Sequence, residues 1–350
     1  MINFFTTKKN AFSSFVFFLL ILISPFLKGQ TVVQPFGDGI TAKRFSASTI
    51  DDNNVVWFLT ETGIISYNGT KWVHHKNIPN INSDEIKDLD FGSSENGQGL
   101  WVAGSNGVTV ISSPVGDNSA TKTYLSDNSS IVSNNVFNVA VSEKGMRWFA
   151  TEKGISAFQG AKWLENKYDD LYPGDIFEYF PFSTMTTGNS GDTLYVGTLG
   201  GGVLRYYKND VDAISGASEY AIWGPINMPS DNIYSVHISA DGTQWLGTDK
   251  GIARHLGYNT LDNWTIFDTG DGLAGNMVNT INSDSNGKLY FGTDNGLSVL
   301  DGTKWTTFRV NDGLVSNNVL SISIDKNNTV WLGTDSGVSC LEDGKFTNFK

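Results

Sequence analysis

Four histidines, His74, His75, His237 and His255, are the first candidates for acid–base or metal chemistry in this 350-residue chain. None has the spacing of metal ligands, and His74-His75 reads as part of a solvated strand. The five arginines, Arg44, Arg147, Arg205, Arg254 and Arg309, fall at different points of the repeat described below, so they predict no cluster for a substrate carboxylate. Asn282, Asp284, Asn286 and Gly287 imitate the start of a calcium loop, but the twelfth position is Thr293 instead of glutamate. The single cysteine, Cys340, stands where other units place Val299 and Ala157, which reads as a small strand residue. Carboxylates are too many for any one pair to stand out. The expectation is no catalytic residue, no metal and no cofactor.

Composition narrows the partners. Hydrophobic residues make up 39% and aromatic residues 13%, enough for a packed core, and one cysteine cannot form an internal disulfide. A formal charge of -12 repels phosphate backbones, so nucleic acid is excluded as a partner. Residues 1–29 read as a secretory signal peptide: Lys8 and Lys9 precede an apolar stretch from Phe15 to Ile23, and Gly29 offers a small residue for cleavage. That stretch is about half of what spans a bilayer. No second one follows, so the mature chain, residues 30–350, is expected to be exported, without a membrane span, and monomeric.

The elements that must position any site come from an internal repeat. An aromatic residue followed six positions later by glycine and an aliphatic residue recurs at Trp57, Trp101, Trp148, Trp245, Tyr290 and Trp331, with a variant at Tyr195 that carries an additional glycine. Successive aromatics lie 41–50 residues apart. An apolar residue stands twelve positions earlier at Phe45, Val136, Ile233, Val278 and Val319. Ile86 and Ile176 take that place at longer spacings, which puts the excess in the turn-like sequences 92–99 and 187–192. Each unit resolves into four short strands, with Asn68-Gly69, Gln159-Gly160, Asp301-Gly302 and Asp343-Gly344 at one shared turn. Seven such units predict an all-β fold, a single seven-bladed β-propeller of four-stranded blades. The regular tryptophans predict packing between blades. Residues 33–36 resemble a fourth strand, although Phe346 to Lys350 already supplies one for the last blade; the two can close the ring with one paired outside the other, in either order.

Asp312-Gly313-Leu314, Ser316-Asn317-Asn318-Val319 and Trp331-Leu332-Gly333-Thr334 resemble the two-component regulator propeller repeat. Weaker copies stand at Ser133-Asn134-Asn135-Val136, Ser230-Asp231-Asn232-Ile233 and Ser83-Asp84-Glu85-Ile86. The resemblance covers residues 37–350 and implies the periplasmic sensing region of a hybrid two-component system of the Bacteroidota type. Such sensors usually carry two propellers, an immunoglobulin-like domain, a membrane helix, and kinase and DNA-binding modules, none of which fits in this length. It therefore implies the sensory part alone, in a Gram-negative envelope, periplasmic or extracellular.

Propeller geometry places the Ser-Asn-Asn segments and the Gly-Thr-Asp-x-Gly turns around one mouth of the central channel. Candidate ligand-binding residues are Asn134, Asn232 and Asn317 in those segments, with Arg44, Lys250, Tyr168 and Tyr172 where the repeat is broken. Residues 180–182 and 208–223 are further breaks. The expected function is non-catalytic recognition of a glycan, a peptide or an envelope protein. The alternative is a structural subunit docking onto an envelope or secretion complex. A third reading is a propeller lyase or glycosidase; Ser239 to Trp245 resembles a sialidase-type turn, without the arginine cluster such enzymes need.

Overall fold

A computed structural model of the protein describes residues 31–37, 39–76, 78–82, 85–95, 97–112, 120–166, 181–191, 193–207, 213–214, 228–256 and 264–350. Residues 1–29, read above as a signal peptide, Tyr168, Tyr172, Ile176 and most of 208–223 lie outside them. Seven antiparallel sheets follow one another along the chain, each with its strands hydrogen-bonded in sequence order. Blade one is Phe45–Ile50, Val56–Thr60, Gly63–Tyr67 and Trp72–His75, and blade two is Ile86–Ser94, Gly97–Gly104, Gly107–Ser112 and Thr121–Tyr124. Blade three is Val136–Val141, Met146–Thr151, Gly154–Gln159 and Lys162–Trp163. Blade four shows Phe182–Thr187, Thr193–Thr198 and Val203–Tyr207 among the described residues. Blade five is Ile233–Ile238, Gln244–Thr248, Gly251–His255 and Trp264–Phe267. Blade six is Val278–Ser283, Leu289–Thr293, Gly296–Asp301 and Lys304–Phe308. Blade seven is Val319–Ile324, Val330–Thr334, Val338–Glu342 and Lys345–Phe349. The inner strands touch one another in turn, and that of blade one meets that of blade seven to close the ring. No helix among the described residues is long and apolar enough to cross a membrane.

The core is divided among the seams. Seven hydrophobic clusters exist, one between each pair of adjacent blades. The second-strand aromatic of each blade faces the next, so Trp101 packs on Phe149 and Phe158 while Trp245 packs on Phe291. The outer-strand tryptophans face back: Trp305 lies 5.7 Å from Phe267 of the preceding blade. Large rings suit this place because blades splay outwards and a wedge must fill the gap.

One turn recurs with the same bonds. In blade five the hydroxyl of Thr248 donates to the Gly251 carbonyl at 2.8 Å and accepts the Lys250 N–H at 3.0 Å. Thr151, Thr293 and Thr334 repeat both bonds. Gly251 has φ +119°, and a Cβ there would lie 2.4 Å from the Phe267 carbonyl oxygen, so only glycine fits. The first turn is built around Asp284 in blade six. Its carboxylate accepts the N–H groups of Asn286 and Lys288 and the Tyr290 hydroxyl, so the calcium-like sequence is a hairpin turn tied to its wedge.

Three expectations change, and the open order of the terminal strands is settled. The excess in blade two is not a loop: pairing continues from Gly92↔Gly99 to Ser94↔Gly97, and the Trp101 ring donates to the Ser93 carbonyl, so the hairpin itself is longer. In blade four Phe182, not Ile176, begins the inner strand, because it pairs with Thr198 as Val136 pairs with Thr151. The added residues therefore precede that strand instead of filling the 187–192 turn. Of the two terminal segments, Lys345–Phe349 is the fourth strand of blade seven. Val32–Gln34 instead pairs parallel to Lys345–Phe349 as a fifth, outermost strand of blade seven, and Phe36 is buried against Phe45 and Trp72. Finally, the His74-His75 strand is not solvated: His75 is buried, shares a hydrogen bond with the Ser66 hydroxyl at 2.9 Å and lies 4.9 Å from the Trp57 ring.

Candidate functional site

The segments that lead into the inner strands meet the second turns at one end of each blade. In blade seven Ser316 and Asn318 donate to the two oxygens of Asp335 at 2.7 and 3.1 Å. Ser133 and Asn135 hold Glu152 the same way at 3.0 and 2.9 Å, and Asn232 donates to Asp249 at 3.1 Å. The amide of Asn135 and the hydroxyl of Ser133 hold Glu152 below the usual carboxylate range. Burial alone would raise Asp249 and Asp335, but their hydroxyl and amide donors outweigh it and lower both. Asn134 and Asn317 have another task. Their side-chain oxygens accept the Ser126 and Val310 N–H groups at 2.8 Å, pinning the loop that arrives from the previous blade.

These asparagines are thus committed to holding turns. The two cations differ. Arg44 gives only its backbone N–H to Glu61, at 2.9 Å, and its exposed guanidinium favours the charged form of Asp335 across the seam of blades seven and one. Lys250 is exposed and does the same for its neighbour Asp249. Arg44, Lys250 and the three asparagines therefore stand around one mouth, with the cations turned to solvent.

Below the mouth lies a channel cavity of about 450 Å³, lined by all seven inner strands. Each of these strands slips register by one residue after its first position, as between Ile86 and Asp88 or Val319 and Ser321. Such a bulge bends the strand and re-aims a side chain. The bulged residue is used across seams: Asn279 donates to the Val319 carbonyl at 2.9 Å and Ser183 to that of Ile233. Further along, the Ser235 hydroxyl accepts the Ile281 N–H at 2.9 Å.

Blade two departs from these neutral groups. Lys87, Asp88 and Asp90 line the channel together. Asp88 accepts the Val139 N–H at 3.1 Å, and Asp90 accepts those of Val141 and Phe91 at 2.8 Å and the Thr49 hydroxyl at 3.2 Å. Lys87 donates to the Asn135 amide oxygen and lies 4.5 Å from the Phe137 ring. Enclosure by protein raises Asp88 to about 7, against the pull of its N–H donors and with help from the charge of Asp90; Asp90 itself is raised to about 6. Burial lowers Lys87. Both carboxyls still border the void, so a ligand in the channel would meet groups that change charge near neutral pH. Sequence reasoning missed them, although a signal existed. Other blades place Ala47, Asn138, Ser235, Thr280 and Ser321 at the position of Asp88, none of them charged.

Elsewhere, burial raises the Cys340 thiol to about 12, which leaves it unreactive at neutral pH. Among the described residues no three His, Cys, Asp or Glu side chains come together as a metal site.

The sequence model of the two component regulator propeller family matches residues 272–295 and 313–336, which lie in blades six and seven. No curated protein matches the sequence. Among solved structures, the chain is similar to the extracellular domain of a putative hybrid two component system from B. thetaiotaomicron, at 18% identity and a TM-score of 0.66, over 86% of this chain and 39% of that one. It is similar to PorZ, a surface component of the type-IX secretion system of Porphyromonas gingivalis, at 19% identity and a TM-score of 0.64, over 86% of this chain and 46% of that one. Virginiamycin B lyase from Staphylococcus aureus shares 16% identity at a TM-score of 0.59, over 84% and 92%. This chain thus spans less than half the length of the first two, and at such identities the likeness is one of fold. Blades six and seven carry repeats of the two component regulator propeller family, in a ring with the fold seen in the extracellular domain of that hybrid two component system.

Proposed function

We propose that the protein is an exported, non-catalytic recognition module whose ligand enters the propeller at the mouth ringed by Arg44 and Lys250 and reaches Asp88 and Asp90 in the channel. The observation that supports this most is that, among the described residues, the channel's charge is confined to blade two, at positions that other blades fill with neutral residues, of which Ser235 does the same lacing. Two carboxyls and many hydroxyls call for a ligand rich in hydrogen-bond donors, and a sugar has the highest density of these. A cavity of about 450 Å³ suits one or two rings. Sensory input is the role that agrees with the matched repeats. The test is a thermal-shift screen of mono- and disaccharides on the full chain near neutral pH. A saturable rise that disappears in Asp88→Asn/Asp90→Asn is expected; a screen without any saturable shift would defeat this reading.

Docking onto an envelope complex is the second reading, favoured by the likeness to PorZ, whose name places it in a secretion system. Crosslinking of the tagged chain in its own envelopes separates the two readings, since only docking predicts one stoichiometric partner.

A further inference from the structure

At three seams the slot beside the second-strand aromatic is filled, each time from a different position. At the seam of blades five and six, Arg254 is the cross-strand partner of Trp245. Its guanidinium lies 5.6 Å from the Trp245 ring and 5.3 Å from Phe267, and it donates to the Thr265 hydroxyl at 3.1 Å. At the seam of blades two and three, Arg147 reaches back from blade three to within 5.3 Å of Trp101 and 4.8 Å of Phe158. At the seam of blades seven and one, Tyr67 reaches back to Trp331 and Phe349, at 5.3 and 5.4 Å.

The seam of blades six and seven has none of these. Its residues at the positions of Arg254, Arg147 and Tyr67 are Val299, Val330 and Leu341, all short and apolar. Its wedges are narrower too: Tyr290 replaces the usual second-strand tryptophan, and Phe346 replaces the outer-strand tryptophan of blades one, three, five and six. The outcome is an open groove of about 490 Å³ between the two blades, apart from the channel. The companions of the missing cation remain. Tyr290 and Phe308 occupy the places of Trp245 and Phe267, and Thr306 pairs with Val299 as Thr265 pairs with Arg254. Asp301, Glu342 and Asp343 stand at the groove, with Lys288 engaging Asp301 at 3.2 Å and Lys304 nearby.

We propose that this groove receives the guanidinium of an arginine from a partner polypeptide, supplying from outside the cation that Arg254 supplies from within one seam earlier. The flat guanidinium stacks over Tyr290 and Phe308 and donates to Thr306, while Glu342 and Asp343 balance its charge. Lysine fits less well, because its ammonium neither stacks nor forks. The net charge of -12 draws a basic segment towards the surface.

The experiment is a titration of the full chain with a capped Gly-Arg-Gly peptide, read on the methyl signals of Val299, Val330 and Leu341. Saturable shifts at these methyls are expected, with binding weaker by about tenfold or more when citrulline replaces arginine. Val299→Arg, which fills the slot from inside, is expected to abolish the shifts and raise the melting temperature. Should that variant fail to fold, Thr306→Val/Glu342→Gln is expected to weaken binding without unfolding the chain. No shift at about 10 mM peptide, equal binding of the citrulline peptide, or undiminished binding by the variant that folds would overturn the proposal. A sugar that shifts the channel variants' melting leaves this test untouched, so the two readings fail separately.

Discussion

The seam between blades two and three and the seam between blades five and six share an outer design and differ at the channel. Outside, each has a second-strand tryptophan, an outer-strand tryptophan and an arginine over the rings. Inside, Asp88 and Asp90 lace the first seam with carboxylates, while the Ser235 hydroxyl and His237, bonded to Ser283 at 3.0 Å, lace the second. Ala47 and Ala140 hold the same two positions in blades one and three, so the fold requires neither a charge nor a side-chain acceptor there. The charge of blade two is surplus to folding, which is what a binding role would leave behind.

If the outer halves are equivalent, Trp101→Ala and Trp245→Ala should each lose about 3–5 kcal/mol in denaturant unfolding. A near-native midpoint for either variant would break the comparison at its base. The channel halves should separate by pH. A carboxyl raised in the folded chain stabilises it in acid, and that contribution fades as pH climbs through the native value. Asp88 and Asp90 should thus cost stability progressively between about pH 4 and about pH 7. Burial lowers His237 to about 4, so its contribution has the opposite sense: it is present above about pH 6.5 and lost as pH falls towards 4. The two carboxyls together outweigh the imidazole, so the wild-type melting temperature should fall as pH rises from about 4 to about 7. Asp88→Asn/Asp90→Asn should unmask the acid-side loss and melt higher than wild type at about pH 8. A variant whose melting temperature still falls from about pH 4 to about pH 7 as that of the wild type does would remove the assigned charge.

Smaller effects sharpen the contrast. Ser235→Ala leaves the buried Ile281 N–H without its acceptor and should cost about 1–2 kcal/mol, measured by chemical unfolding. Asp88→Asn keeps an acceptor for Val139 and should cost less than that at pH 7 in the same assay. Smallest is Arg254→Met, which retains the packed stem and gives up the ring contact, for about 0.5–1 kcal/mol.

The ring was legible because its wedges are. Trp57, Trp101, Trp148, Trp245 and Trp331 repeat at blade spacing and with glycine at a fixed distance, since every seam needs a large ring and every second turn needs positive φ. Segments without such demands misled. Residues 92–94 and 97–99 are strand through pairing alone, as glycine and serine carry little strand preference. Phe182 was hidden because residues added before its strand look from the sequence like residues added after it. Val32–Gln34 pairs in parallel, a partnership that no local pattern encodes. The site was the least readable part. Asp88 and Asp90 are ordinary in a chain with 36 acidic residues, and only the bulge and the ring closure turn them into the channel. The mouth asparagines were visible, but their oxygens and amides are occupied by the backbone and by neighbouring carboxylates.

The outermost strand of blade seven has a mechanical meaning. Val32–Gln34 lies against a sheet that already has four strands, so it acts as a latch and not as a stave of the barrel. Its hydrogen bonds run across the strand direction, so tension along the segment loads the Val32↔Thr347, Val33↔Asn348 and Gln34↔Phe349 pairs together, whereas a sideways pull opens them one at a time. Phe36, seated between Phe45 and Trp72, is the catch. A tether drawn lengthwise would hold; one drawn outwards would unzip to Phe36 and leave the ring shut.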